Sequence, residues 1–127
     1  MAITYDLLAR LSDGTSQVAS TISASSGGQV EIDEDIPAEA SDLPIAFAMV
    51  RAKTQMFFMC ADSTLVVQTN SGAGDTFNLL ANTPIVWYAG IGFALSALLT
   101  ADITNLQASN ASENPVRLQI RALVDPT

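Results

Sequence analysis

"VRLQIRALV", Val116–Val124, is the stretch that decides the fold. Val116, Leu118, Ile120 and Ala122 fall on one side while Arg117, Gln119 and Arg121 fall on the other, a period of two that matches an extended strand with one buried and one wet face. The pattern predicts a strand integral to the domain. The sequence ends at "VDPT" directly after it, so no tail is expected to follow.

Outward from this strand, further runs of the same character recur at close spacing: Ile3–Leu11, Val18–Ala24, Val30–Asp33, Ile45–Arg51, Met56–Cys60, Leu65–Thr69, Thr76–Leu80, Pro84–Tyr88 and Ile103–Ala108. Turn residues separate them, and no long segment sustains a helical period. The prediction is an all-β fold, an antiparallel β-sandwich of jelly-roll-like form with about 8–10 short strands, in one domain over residues 1–127. Asp13-Gly14 is a hairpin signal, and "SSGG", "NSGAGD" and "SNASEN" supply residues that tolerate positive φ or make side-chain turns. The first run is ambiguous, because Ile3, Leu7, Leu8 and Leu11 also fit a helical face ending at Gly14.

Composition narrows the function classes. The 127 residues carry a net charge of -8, with 49% hydrophobic and only 14% charged side chains, which is a folding composition. The five basic residues, Arg10, Arg51, Lys53, Arg117 and Arg121, are too dispersed to neutralise consecutive phosphates, so no nucleic acid is expected as a partner. The same acidity argues against anionic membrane surfaces. A single cysteine, Cys60, set in apolar "MFFMCAD", reads as a small buried hydrophobe of a protein folded in a reducing cytoplasm. The N-terminus shows no basic region followed by an apolar one, so no signal peptide is read there.

"PIVWYAGIGFALSALLTAD", Pro84–Asp102, is the anomaly: no charge occurs between Asp75 and Asp102. Its strongly apolar part is too short for a spanning helix, which needs about 20 residues, and no Lys or Arg flanks it, so no membrane is expected. It reads as a strand running into an apolar loop, with a short helix over Phe93–Leu99 as the alternative. Trp87 and Tyr88 are adjacent on that strand, so one faces the core and the other outward. Trp87 or Tyr88, with Ile91, Phe93 and Leu95, are the candidate contacts with an oligomeric or other protein partner.

Chemistry is sparse. The sequence has no histidine, which removes the usual general base and the commonest metal ligand, so no enzyme and no cofactor are expected. No phosphate-binding glycine motif occurs. In "EIDEDIP", Glu31, Asp33 and Asp35 share one face of a strand; they read as a solvated edge, with a calcium site as the rival and glycoside cleavage behind it. Asn110-Ala111-Ser112 matches the glycosylation pattern and is read as a surface turn.

"TLVVQTNSGAGDTFNLLANTPIVWY" and "TADITNLQASNASENPVRLQIRALVDPT", covering Thr64 to Thr127, resemble small β-sandwich virion proteins of tailed bacteriophages, especially capsid decoration or cement proteins. That resemblance implies a homotrimer or other homo-oligomer clamped over a major capsid protein at the virion surface, made in the host cytoplasm, without catalysis or cofactor. The alternative is a carbohydrate- or receptor-binding module of a phage tail or baseplate, with an exposed Trp87 stacking on sugar.

Overall fold

The computed structural model describes residues 3–12 and 14–125, without the side chains of residues 10–12, 17, 18 and 25. Asp13, half of the predicted hairpin signal, lies outside the described residues. Gly14 adopts φ 93° in the connection, a conformation glycine enters without steric cost.

Ten strands form among the described residues, and every ladder between them is antiparallel: β1 (Ile3–Ser12), β2 (Gln17–Ser26), β3 (Gly28–Ile36), β4 (Leu43–Ile45), β5 (Thr54–Ala61), β6 (Leu65–Thr69), β7 (Thr76–Leu79), β8 (Ile85–Tyr88), β9 (Leu106–Ser109) and β10 (Val116–Val124). The first run is therefore a strand, not a helix. One sheet has the order β3-β10-β5-β8 and the other β4-β9-β6-β7. The pairs β3–β10, β4–β9, β5–β8 and β6–β7 join first to last and inward, as in a ribbon rolled into two sheets. This is the jelly-roll order.

The alternation in β10 produces the core. Val116, Leu118, Ile120 and Ala122 meet Phe57 and Met59 of β5, Trp87 of β8, and Leu65, Val67, Phe77, Leu79, Leu106 and Ala108 from the opposite sheet. Each large side chain buried there contributes about 1.5–3 kcal/mol relative to exposure.

Two predicted strands are shorter than their hydrophobic patterns. Ile45, Phe47 and Met49 are all buried, yet β4 stops at Ile45 and only Met49 bridges onward, to Ile103. A short 3-10 turn, η1 (Arg51–Lys53), follows, with the Thr54 hydroxyl donating to the Val50 carbonyl at 2.9 Å. Period-two burial here records packing without a ladder. Likewise β9 begins only at Leu106, because Thr104 N–H donates to Asn70 Oδ1 and Ser71 N–H to Asn105 Oδ1.

β1 and β2 form a hairpin outside both four-stranded sheets. It lies over the outer face of the β3-β10-β5-β8 sheet, where Thr4, Tyr5, Asp6 and Leu7 face Met56, Phe58, Val86 and Arg121. Leu123 (0% exposed) and Met56 are register partners on this outer face, and both are buried outside the inter-sheet core cluster. The hairpin supplies a third layer.

Candidate functional site

The uncharged segment after β8 is mostly turned inward. Gly90 and Gly92 take φ 98° and 107°, which reverse the chain toward its own sandwich. Leu95 and Leu99 then enter the core, and Ile91 and Leu98 pack against it half-buried. The segment is the loop expected after a strand, and in place of the alternative helix over Phe93–Leu99 it holds one short 3-10 turn, Leu95–Ala97.

Polar contacts hold the far end down. Arg51 donates its backbone N–H to Asp102 Oδ1 at 2.9 Å and its Nη1 to the Leu99 carbonyl at 2.8 Å, while Thr100 N–H donates to Asp75 Oδ2. The segment is thus a closure of one side of the sandwich. Its apparent surplus of apolar surface is spent internally.

The five predicted contact residues divide accordingly. Trp87, 7% exposed, is a core residue whose indole N–H donates to the Phe93 carbonyl at 2.9 Å, and Leu95 is also core; neither side chain is a surface contact of the single chain. Ile91 is half-buried, and Tyr88 is half-buried on the outer face opposite Trp87. Phe93 alone is openly exposed, at 45%. The indole that was the candidate sugar platform is inside.

Val50 is exposed too, and its corner meets the segment: Val50, Ala52, Trp87, Ala94 and Ser96 line one shallow groove. Leu80 at the end of β7 and Leu8 on the hairpin are the other large apolar side chains that stay exposed among the described residues. Sequence reasoning missed Val50 and Leu80. Exposure of a lone aliphatic depends on which end of a strand it occupies, and no motif marks that.

Glu31, Asp33 and Asp35 do share the outward face of an edge strand, but arginines of β10 occupy the same face. Arg117 Nε lies 2.7 Å from Asp33 and its Nη1 3.4 Å from Asp35, while Arg121 Nε lies 3.6 Å from Glu31. The hydrogen bond to Asp33 and the two carboxylates hold the Arg117 guanidinium above its usual range. Among the described residues no group of three His, Cys, Asp or Glu side chains converges as a metal would require, so the calcium alternative gains no geometry.

Cys60 is half-buried, and burial pushes its thiol up, toward the less reactive neutral form. Tyr5 is raised to about 12 by burial and by its bond to Glu31, with Arg121 opposing. Asn110, read as a surface turn residue, is fully buried. Its Nδ2 donates to the carbonyls of Ile36, Pro37 and Asn114. Its Oδ1 accepts from the N–H and hydroxyl of Ser112, so this amide organises a loop and is closed to a glycosyl donor.

Between the loops at Asn110's end of the sandwich runs an open cleft of about 630 Å³, lined by Glu39, Ser41, Thr64, Ser109 and Ser112 among others. Beside it the Ser109 hydroxyl donates to Asp42 Oδ1 at 3.3 Å and accepts from the Asp42 N–H, a pairing that ties the turn before β4 to β9. No helix among the described residues is long and apolar enough to cross a membrane. No known family model, curated protein or solved structure matches the chain.

Proposed function

We propose that the chain is a structural protein of a virion, a capsid decoration (cement) subunit that binds the assembled lattice of a tailed phage and stabilises it, without enzymatic activity. The reading rests on the resemblance of residues 64–127 and on a fold order used by many capsid proteins, an analogy that carries fold and not function by itself. One observation carries it: Phe93 is exposed on an uncharged loop held by Trp87 at the Phe93 carbonyl and by Arg51 at the Leu99 carbonyl and the Asp102 carboxylate. An exposed aromatic whose backbone is held by the Trp87 indole is the kind of anchor that fills a pocket on a partner.

A subunit that binds the assembled lattice and not free coat protein stabilises the lattice by mass action, by about 2.7 kcal/mol when it is present at a hundredfold excess over Kd. The partners are further copies of this chain and a major capsid protein, with no nucleic acid and no membrane; the place of action is the capsid surface.

The test is co-sedimentation with assembled shells and with unassembled coat protein of the phage that encodes the chain. Retention on shells only, a raised shell melting temperature, and at least tenfold weaker binding of Phe93→Asp are expected. Equal affinity for both forms, or unaltered binding of Phe93→Asp, overturns the reading.

A further inference from the structure

Among the described residues, the β1–β2 ladder joins no other strand. A hairpin alone is marginal in water, so docking holds it in place. The Tyr5 hydroxyl sits 2.9 Å from Gln29 Oε1 and 2.8 Å from Glu31 Oε1, and Leu7 faces Met56, Phe58 and Val86 across one crevice. A crevice of about 310 Å³ remains between the layers, looser than the interdigitation of a protein core.

Docking also engages only half of the hairpin. Beyond Leu7 and Ile22, Leu8 is 64% exposed, and Ala9, Ala19, Ser20 and Thr21 are exposed as well. Ten-residue strands extend about 33 Å, so close to half of that length runs on without a surface beneath it. The link to the sandwich is short: Gly27 alone separates β2 from β3.

We propose that in the assembled protein the hairpin is an exchanged arm, docking on the outer face of the β3-β10-β5-β8 sheet of a second copy, which returns its own arm. The groups that receive the hairpin, Gln29, Glu31, Met56, Phe58, Val86, Arg121 and the Val124 carbonyl that accepts from Ser26, belong to the sandwich, so a second copy offers the same receptor. The hydrogen bonds and packing that the arm leaves behind on its own sandwich are made again on the other. The outer half, with Leu8 and Ala9, extends past that receptor in either arrangement and is left to bridge the space between the two sandwiches. A short hinge and an identical receptor are the conditions under which protomers exchange an element. The arm lies apart from Phe93, and its exchange holds whatever larger partner the protein has.

The test places Leu7→Cys and Val86→Cys in a Cys60→Ser background and oxidises the native protein. Disulfide-linked dimers or larger covalent species on a denaturing gel are expected, with a solution mass of at least two chains. A second variant lengthens the hinge by four Gly/Ser residues after Ser26; relief of the hinge is expected to lower the multimer fraction several-fold. A linkage confined within single chains, failure of the two thiols to join, or a single-chain mass at all concentrations overturns arm exchange. Linkage within single chains of a multimeric protein would overturn exchange alone and leave the capsid reading standing.

Discussion

The indole N–H of Trp87 and the carbonyl of Phe93 meet at 2.9 Å, tying a core side chain of β8 to the residue that carries the exposed aromatic ring of the apolar segment. The bond spans six residues and closes the turn containing Gly90 and Gly92. Trp87→Phe keeps most of the packing and removes the donor, so a loss of about 1 kcal/mol is expected. Thermal melting reads the loss, and faster amide exchange confined to residues 93–99 locates it.

Asn110→Ala removes three donated and two accepted hydrogen bonds from a site with no exposure. The stranded carbonyls of Ile36, Pro37 and Asn114 make this a costly change, about 3 kcal/mol. Denaturant unfolding measures it. Expression in a glycosylating host should add no mass at Asn110.

Tyr5 keeps its proton to about pH 12 in the folded chain, against 10.0 for the ordinary phenol. The stability it lends is complete below pH 10.0 and is lost as pH rises through 12, because the unfolded state releases its proton first. Tyrosinate absorbance should show a step near pH 12 that is missing in Tyr5→Phe. The variant should also loosen the hairpin, seen as faster exchange of amides in Ile3–Leu7.

Arg117→Ala leaves Asp33 and Asp35 facing each other without their shared cation. The pair is solvent-facing, so the loss is small and salt-dependent. Melting midpoints of the variant and the intact chain should differ at low ionic strength and converge at high. For the intact chain, calcium and chelator should give one midpoint; a rise with calcium would make these carboxylates a cation site.

Strand identity was legible because burial imposes period two on side chains, as in β10 and β6, whose bounds match the sequence pattern. Where the period persisted without a ladder, at Phe47 and Met49, pattern reading overran the strand. The direction taken by the segment after β8 was not legible. Composition shows that Ile91, Leu95, Leu98 and Leu99 need cover, but whether their own sandwich supplies it depends on long-range contacts such as Arg51 with Asp102. Asn110 was misread for a related reason: an "SNASEN" turn looks polar and wet, and only the approach of the Ile36 and Pro37 carbonyls makes it an interior amide.

β10 lies between β3 and β5, and pairs with strands begun some ninety and sixty residues earlier. A ribosome that has delivered the chain only as far as Pro115 holds a nascent sheet with its middle missing and two raw edges facing the gap. Completion then requires threading the newest strand between two made much earlier, β3 and β5, a search on the order of milliseconds to seconds for β topologies of this kind. Yield in the cell should therefore respond more to translation pausing and chaperone supply around Val116 than to any change in surface charge.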